Sequence, residues 1–232
     1  MLRSAMTRIH PPDWPAIDTV LLDLDGTLLD LAFDTRFWRQ VVPAAWARAR
    51  GVSLEEAREH LVPRFRAREG TLDWYSVEFW SRELELDVAA LKREVMHEVR
   101  WLSGVPEFLQ TLRRNGKRLV LLTNAHPQTL ALKDERIGVS GYLDAMFSSH
   151  ALSWPKEDAR FWKGIRRHEP YDPQRTLFVD DSPPVLAAAR KSGIRWVIGV
   201  RQPDSQGTVR DHGPWPAVDK LTDLAGPDSG LL

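Results

Sequence analysis

The chain alternates between short apolar runs and longer amphipathic stretches. Four runs rich in branched apolar residues predict buried β-strands: Thr19–Leu24, Arg118–Thr123, Thr176–Val179 and Trp196–Val200. A shorter run predicts a fifth strand at Ala145–Ser148. Helical patterns follow the later runs, at Pro106–Arg114, Lys156–His168 and Pro183–Lys191. Strands that alternate with helices predict an α/β fold with a mostly parallel sheet and helices on both faces. The sequence after Arg201 is rich in Pro, Gly and Asp, which predicts a loop-like tail over this core.

Residues 32–104 interrupt the alternation, because helical patterns follow one another there without a convincing strand. The predicted helices are Trp38–Arg50, Leu54–Arg66, Asp73–Leu84 and Asp87–Arg100. Ser53 and Glu56 form a capping-box pair at the start of the second helix, and Gly51 ends the first. We therefore expect an all-helical cap domain of residues 32–104, inserted into a core of residues 1–31 and 105–232. Its aromatic residues are expected to form mainly its own core: Phe37, Trp38, Trp46, Phe65, Trp74, Tyr75, Phe79 and Trp80.

Composition and charge narrow the functional classes. The 232 residues are 43% hydrophobic and 28% charged, which is ordinary for a soluble globular protein. Lys and Arg together number 32 and so do Asp and Glu, so we expect no general attraction to nucleic acid polymers or membranes. The absence of cysteine excludes disulfides and thiolate chemistry. Neither Met1–Pro15 nor any later run resembles a signal peptide or a membrane span, so a cytoplasmic location is expected.

Two carboxylates stand one residue apart where the first predicted strand ends, in the run Asp23-Leu24-Asp25-Gly26-Thr27. A carboxylate at such a position can attack phosphorus while a divalent cation neutralises charge, and a second carboxylate can protonate the leaving oxygen. Gly26 frees the backbone to turn sharply. The alternative is a strand followed by an ordinary acidic turn. The apolar strand before the motif and Gly-Thr after it favour the chemical interpretation.

Three further segments supply polar groups at strand ends or helix starts. Thr123 and Asn124 offer neutral donors to phosphate oxygens, although such residues also cap and turn the chain. Lys156 could place an ammonium beside the nucleophile, or could be an ordinary surface charge. Asp180 and Asp181 follow a buried strand and would repel each other unless a cation binds them. The alternative for that pair is the capping of the following helix by Asp181 or Ser182.

Taken together, the four segments Asp23-Leu24-Asp25-Gly26-Thr27, Leu121-Leu122-Thr123-Asn124, Lys156 and Val179-Asp180-Asp181-Ser182 resemble the phosphatase branch of the haloacid dehalogenase superfamily. That resemblance implies a Rossmann-like core, with Asp23 as the nucleophile and Asp25 as the general acid and base. It also implies phosphate binding by Thr123, Asn124 and Lys156. Mg²⁺ would be held by Asp23, the Asp25 carbonyl and the Asp180–Asp181 pair, with Asp181 as the direct ligand. The acid at position 25 favours a phosphatase or mutase over a carbon–halogen hydrolase.

A longer likeness extends from the core into the helical stretch. The segments Leu29-Asp30-Leu31-Ala32-Phe33-Asp34, Leu72-Asp73-Trp74-Tyr75, Thr123-Asn124-Ala125-His126-Pro127 and Pro155-Lys156-Glu157-Asp158 resemble bacterial 5′-nucleotidases that act on GMP and IMP. This implies a small phosphate ester, a purine mononucleotide, as the substrate. Other phosphatases, phosphosugar mutases and a catalytically silent phosphate-binding regulator remain as alternatives.

The helical stretch and the loop after the second strand contain residues that could contact a nucleobase. Aromatic side chains could line a base pocket, and an arginine could bind a base carbonyl or the ribose. The candidates are Phe33, Trp38, Trp74, Trp80, Arg36, Arg100 and the loop residue His126. Each of them could equally be part of the helical core, a solvated surface charge or, for His126, a local hydrogen-bond partner. The sequence does not predict an oligomeric state.

Overall fold

The centre of the computed structural model is a six-stranded parallel sheet with the strand order β3-β2-β1-β4-β5-β6. The strands are β1 (Thr19–Leu22), β2 (Arg118–Thr123), β3 (Ala145–Ser148), β4 (Thr176–Asp180), β5 (Trp196–Val200) and β6 (Ala217–Val218). The structure describes residues 12–225. The beginning of Met1–Pro15 and the end of the predicted tail therefore lie outside the described residues. The α/β fold with a mostly parallel sheet is confirmed.

The sheet buries both of its faces, as the continuous apolar strands predict. Val20 and Leu22 of β1 point into one hydrophobic cluster and Leu21 points into another on the opposite face. In the register, Leu22 lies beside Leu121 of β2 and Val179 of β4. The three central strands therefore end at one edge of the sheet, and the polar residues that follow them come together there.

Six helices lie between β1 and residue 98: α1 (Ala32–Arg36), α2 (Val42–Arg50), α3 (Leu54–Arg66), α4 (Leu72–Tyr75), α5 (Val77–Leu84) and α6 (Val88–Val95). We call this stretch, residues 32–98, the helical insert. A π-helical turn at Phe37–Val41 joins α1 to α2, just before Pro43, which has no N–H to donate to the helix. The predicted caps are confirmed, since Gly51 has φ 67° and Ser53 and Glu56 make both capping-box bonds.

Two predicted helices of the insert are shorter in the structure. The prediction for Asp73–Leu84 is interrupted at Ser76, whose extended backbone separates α4 from α5 and whose hydroxyl accepts a bond from the Phe79 N–H. The prediction for Asp87–Arg100 ends at Val95, and a 3₁₀ turn at Met96–Glu98 follows. Tight turns of this kind often finish a helix whose last carbonyls lack α-helical partners.

The insert has a hydrophobic cluster of its own, formed by residues of α2, α3, α5, α6 and the π-helical turn. Phe37, Trp46, Phe65 and Trp80 are buried in it, and Trp38, Trp74 and Phe79 pack against it. Tyr75 differs from the prediction, because it is not part of this cluster. Its hydroxyl instead donates to Glu157 Oε1 at 3.1 Å, on the loop that also carries Lys156.

Four helices pack on the sheet: α7 (Val105–Arg114), α8 (Pro127–Ile137), α9 (Ala159–His168) and α10 (Pro183–Lys191). The prediction of a helix from Lys156 is wrong by one turn. Asp158 caps α9 by accepting from the Arg160 N–H, so Lys156 lies in the preceding loop.

The tail after Arg201 is more ordered than predicted. It contributes the sixth strand, β6, which pairs with β5, and a 3₁₀ helix at Leu221–Ala225 that buries Leu221 and Leu224. The prediction of five strands is therefore wrong, because a strand of two residues leaves no readable pattern in the sequence. Within residues 12–225, no helix has both the length and the apolar character needed to cross a membrane.

Candidate active site

Asp23 and Asp25 lie in the loop that leaves β1 at the carboxyl edge of the sheet. The Asp23 N–H still donates to the Val179 carbonyl at 3.0 Å, which extends the β1–β4 pairing by one residue. The chain then turns at Gly26, which has φ +86°. A Cβ at Gly26 would lie 2.8 Å from the Asp181 carboxylate, so glycine is required both for the turn and for the close approach of Asp181.

Lys156 lies among the carboxylates with its side chain 2% exposed. Its ammonium donates to Asp23 Oδ1, to Asp180 Oδ2 at 2.7 Å and to the Leu122 carbonyl at 3.0 Å. Burial alone would lower the pKa of Lys156, but the carboxylates of Asp180 and Asp23 raise it above its ordinary value. Lys156 is therefore a fixed positive charge, and all three of its donors are used.

Asp23, Asp180 and Asp181 form an acidic cluster in which one oxygen of each lies within 4.8 Å of the others. Burial raises the pKa of Asp23 and of Asp181 to about 7, and that of Asp180 to about 6. Like charges among the three add to this effect, and Lys156 opposes it. A buried group of carboxylates with one ammonium has an excess of negative charge. Carboxylate oxygens at this spacing are the donor set that a hard divalent cation prefers.

The tail completes the wall of the acidic cluster. Arg210 donates to Asp181 Oδ2 at 2.7 Å, and His212 Nε2 lies 3.2 Å from the Asp181 carbonyl oxygen. His212 also packs closely on Gly199 of β5, where a Cβ would come within 2.3 Å of its ring. Neither residue was predicted, because both lie in the segment read as loop.

Thr123 ends β2 and Asn124 follows it, and both line a cavity together with Asp23 and Lys156. The Asn124 side chain is already engaged, since Oδ1 accepts from the Lys156 N–H at 2.9 Å and Nδ2 donates to Glu157 Oε2 at 2.9 Å. The Thr123 hydroxyl oxygen accepts from the Ala125 N–H at 3.0 Å, which leaves the hydroxyl proton free to donate. Asn124 thus holds the Lys156 loop in place, while Thr123 has a donor for a ligand.

Asp25 belongs to a second charged group that the sequence prediction missed. Lys133 of α8 donates to Asp25 Oδ1 and to Asp34 Oδ2, both at 2.6 Å, and Lys92 of α6 donates to Asp34 Oδ1 at 3.0 Å. Burial raises the pKa of Asp25, although Lys133 opposes the rise. Burial would also raise the pKa of Asp34, but Lys133 and Lys92 hold it well below its usual range. A lysine three residues after Leu130, on the buried face of α8, was the signal that could have revealed Lys133.

One cavity of about 910 Å³ is lined by the acidic cluster, Asp25, Asp34 and Lys156, and it extends along the helical insert. The core contributes the charged and hydroxyl residues described above, and the insert contributes aromatic and basic side chains. Those of the insert include Trp38, Trp74, Tyr75, Arg39, Arg58 and Arg66. Within residues 12–225, these three arginine side chains have no hydrogen bond or ion pair. They are exposed cations at the open side of the cavity.

The predicted specificity residues divide between two locations. Trp74 and His126 line the cavity, with the pKa of His126 lowered by burial. Phe33 instead is buried beneath the lysines, with its ring 5.4 Å from Lys133 Nζ. Arg36 forms an ion pair with Glu98 at 2.5 Å, and it is not among the residues that line the cavity. The prediction of Phe33 and Arg36 as base contacts therefore has no support in this geometry.

Comparison with curated proteins identifies similar chains. One at 43% identity, over 89% of this chain and 93% of its own length, is the GMP/IMP nucleotidase YrfG of Escherichia coli. Another at 25% identity, over 88% of this chain and 77% of its own length, is phosphoglycolate phosphatase 1 of Pseudomonas aeruginosa.

Solved structures share the fold. The crystal structure of a HAD phosphatase from Thermococcus onnurineus superimposes with a TM-score of 0.74 at 23% identity, over 90% of this chain and 96% of that one. Residues 17–193 match the sequence model of the haloacid dehalogenase-like hydrolases. The matched segment spans β1 to α10 and includes the whole acidic cluster. The chain therefore belongs to the haloacid dehalogenase-like hydrolase family and is an enzyme of it.

Proposed function

We propose that this enzyme is a Mg²⁺-dependent phosphatase that hydrolyses purine 5′-mononucleotides through a phosphoryl group carried by Asp23. The observation that carries the proposal is the position of Lys156, which brings a buried ammonium against both Asp23 and Asp180 beside Asp181. A buried carboxylate held by a lysine and flanked by two more carboxylates is suited to attack a phosphate whose charge is shared with a cation. The named activity of the curated relative at 43% identity supports the nucleotide as substrate.

The acidic cluster fits Mg²⁺ by the chemistry of its donors. Oxygen atoms of Asp23, Asp180 and Asp181, together with the Asp25 carbonyl, would hold the ion. When bound, the ion would neutralise charge on the phosphate and on the attacking carboxylate. Both oxygens of Asp180 already accept hydrogen bonds, one from Lys156 and one from the Ser182 N–H. Asp181 has one oxygen bonded to Arg210, so its other oxygen is available as a direct ligand.

Two carboxylates of the chain share the chemistry: Asp23 is the nucleophile, and Asp25 is the acid and base. Asp23 Oδ1 is held by Lys156, so its second oxygen attacks phosphorus and the ester P–O bond breaks. Asp25, with a pKa raised by burial, donates a proton to the leaving oxygen and then accepts one from the water that hydrolyses the acyl phosphate. Thr123 donates its free hydroxyl proton to a phosphate oxygen, and Asn124 keeps Lys156 in position.

The helical insert supplies the groups for binding the base. Trp38 and Trp74 offer aromatic faces at the cavity, on which a purine can stack. The unpaired arginines Arg39, Arg58 and Arg66 can donate to a 6-oxo group and N7, an edge that guanine and hypoxanthine share. Adenine presents an amino group at that position, so this edge favours GMP and IMP over AMP.

We further propose that residues 32–104 act as a cap that closes over the phosphate and excludes water. The hydrogen bond from Tyr75 to Glu157 and the ion pair from Lys133 to Asp34 support this, since both join the insert to the core beside the cavity. The hinges would lie at Leu31–Asp34 and Ser103–Pro106. Gly104, in the second hinge, has φ 77°. A cytoplasmic location remains an expectation from the sequence.

Phosphate release from a panel of phosphate esters tests the proposal. The panel contains GMP, IMP, AMP, UMP, a hexose phosphate and phosphoglycolate, each with Mg²⁺ and with a chelator. We expect release that requires Mg²⁺ and is fastest with GMP or IMP. A hexose phosphate or phosphoglycolate at the top of the ranking would instead support the alternative of another small-metabolite phosphatase or mutase. No release from any ester would support a silent regulator.

A further inference from the structure

Lys133 lies where it can control the orientation of Asp25. Its ammonium is 2.6 Å from Asp25 Oδ1, and its side chain is 1% exposed. Within residues 12–225, this is the one hydrogen bond that reaches the Asp25 side chain. The orientation of that carboxyl group therefore depends on a single donor, which comes from α8 rather than from the loop that carries Asp25.

Lys133 is itself held by the helical insert. Asp34 of α1 accepts from Lys133 at 2.6 Å through Oδ2 and from Lys92 of α6 at 3.0 Å through Oδ1. Phe33 and Phe37 pack around the two ammonium groups, at 5.4 Å from Lys133 and 5.0 Å from Lys92 respectively. Two ammonium groups and two carboxyl groups thus alternate in a hydrogen-bonded chain, Lys92–Asp34–Lys133–Asp25, that runs from the insert to the loop after β1.

We propose that Lys133 is a positioning residue that makes Oδ2 of Asp25 the oxygen from which the proton leaves. This inference rests on the proposed phosphatase function. The Lys133 ammonium donates to Oδ1 at 2.6 Å, and its positive charge disfavours a proton on that same oxygen, so the acid proton of Asp25 is on Oδ2. Oδ2 is then the oxygen free to face the leaving group in the cavity.

The step that this positioning serves is the first half of the reaction. An oxygen of Asp23 forms a bond to phosphorus, and the bond from phosphorus to the ester oxygen breaks. The ester oxygen takes the proton from Asp25 Oδ2 and leaves as an alcohol, and Asp25 is left as a carboxylate whose Oδ1 is still bonded to Lys133. Because Asp34 belongs to the insert, Asp25 is held in this orientation when α1 is seated against α8.

The effect of a Lys133 variant on esters with different leaving groups shows whether Lys133 positions an acid or has only a general structural role. A nucleoside 5′-alkoxide needs a proton to leave, whereas the nitrophenolate of p-nitrophenyl phosphate does not. In Lys133→Met, we expect kcat/KM for GMP to fall about 10- to 100-fold, within the range of general acid catalysis, while kcat/KM for p-nitrophenyl phosphate stays within about threefold. If the panel shows another alkyl ester to be the best substrate, that ester takes the place of GMP.

Three further variants complete the test. Lys117→Met removes a lysine that bonds two backbone carbonyls away from the cavity, and should change neither value. If Lys133→Met folds poorly, the charge-neutral double variant Lys133→Met/Asp34→Asn replaces it. In an Asp25→Asn background, Lys133→Met should have no further effect on GMP hydrolysis, because the acid that it positions is gone.

The outcomes separate failure of this inference from failure of the proposed function. Equal losses with both esters, no loss with either, or a full additional loss in the Asp25→Asn background would each overturn the positioning role. In those cases the wild-type enzyme would still release phosphate. A wild-type enzyme that hydrolyses no phosphate ester would overturn the proposed function itself.

Discussion

Lys156 and Asp180, 24 residues apart in sequence, meet at 2.7 Å in a site where both side chains are almost fully buried. The second carboxylate on Lys156 is that of Asp23, so the lysine joins the end of β1 to the end of β4. Breaking a buried pair by removing one partner typically costs about 3–5 kcal/mol, because the other charge is left uncompensated. The charges of the site therefore contribute to folding as well as to chemistry, and each variant needs a measurement of both.

Asp23→Asn should abolish turnover while the fold persists. The amide keeps the shape of the carboxylate but cannot attack phosphorus, and uncatalysed hydrolysis of phosphate monoesters is slow enough that enzymes accelerate it by up to ~10²¹-fold. Phosphate release and the circular dichroism melting curve are the measurements. Asp18→Asn is the control, since Asp18 pairs with Arg175 at the surface and should keep full activity. Substantial release by a clean Asp23→Asn preparation would exclude the covalent mechanism.

Asp180→Ala and Asp181→Ala should impair the enzyme in different ways, one mainly in stability and the other mainly in Mg²⁺ binding. Asp181→Ala should raise the Mg²⁺ concentration needed for half-maximal rate more than Asp180→Ala does, because Asp181 has an oxygen free for the ion. Asp180→Ala should lower the melting temperature more, because it leaves buried Lys156 with one carboxylate fewer. Mg²⁺ titration of the rate and thermal melts of both variants test this. A larger Mg²⁺ effect in Asp180→Ala would reverse the ligand assignment.

The sequence predicted the positions of those residues that follow from local pattern. Asp23 comes directly after β1, Asp180 ends β4 and Asp181 follows it, and parallel strands bring their carboxyl ends to one edge. The residues that were missed depend on contacts distant in sequence. Lys133 meets Asp25 across 108 positions, and Arg210 meets Asp181 across 29 positions. The position of Lys133 on the buried face of α8 indicates that it needs a buried partner, but no local pattern identifies that partner or the partner of Arg210.

Phe33 and Arg36 lie away from the cavity because of their phase on the helix. Leu31, Asp34, Thr35, Trp38 and Arg39 line the cavity, and these positions recur on one face of a helix. Phe33 and Arg36 lie on other faces, one toward the buried lysines and one toward Glu98. The sequence predicted a helix only from Trp38 onward, so neither α1 nor its rotation about its own axis was predicted. Aromatic residues occur on several faces of this stretch and do not mark the face that lies toward the cavity.

Gly26→Ala should damage the site far more than a glycine substitution with similar backbone geometry elsewhere. Both Gly26 and Gly51 have positive φ, which costs a residue with a Cβ about 1–2 kcal/mol. At Gly51 the added Cβ meets nothing within 4 Å, whereas at Gly26 it would lie 2.8 Å from the Asp181 carboxylate. We expect Gly51→Ala to lower only the melting temperature. Gly26→Ala should also lower the rate of phosphate release and weaken Mg²⁺ binding. Equal activity in the two variants would contradict this.

His150 should make the protein less stable as the pH falls from about 6.5 to about 4. Burial, with His126 adding to it, lowers the pKa of His150 to about 4, while an unfolded histidine titrates near 6.5. Between these values the unfolded chain binds a proton that the folded protein does not, so stability falls with pH there and the loss is complete below pH 4. Asp73 and Glu78 also face His150 and oppose the shift.

His150→Gln should remove this part of the pH dependence. Because His150 is half-buried, we expect the variant to lose about 2 °C less in melting temperature than the wild type between pH 7 and pH 5. His168→Gln is the control for an exposed histidine and should keep the wild-type profile. Identical profiles for all three proteins would show that His150 is protonated in the folded state.

An arginine of the helical insert should set the preference for a 6-oxo purine. Arg39, Arg58 and Arg66 line the cavity without protein partners in the described part of the chain, and a bidentate arginine contact with the O6 and N7 edge contributes about 1–3 kcal/mol of discrimination. We therefore expect Arg→Gln at one of these positions to lower the ratio of kcat/KM for GMP to that for AMP by about 5- to 100-fold. IMP should follow GMP, because the two bases share that edge. Arg48→Gln, an exposed arginine of α2 that is not among the residues lining the cavity, is the control and should leave the ratio unchanged. An unchanged ratio in all three cavity variants would place base recognition elsewhere in the cavity, and equal loss with GMP and AMP would assign the arginines to general attraction of the anion.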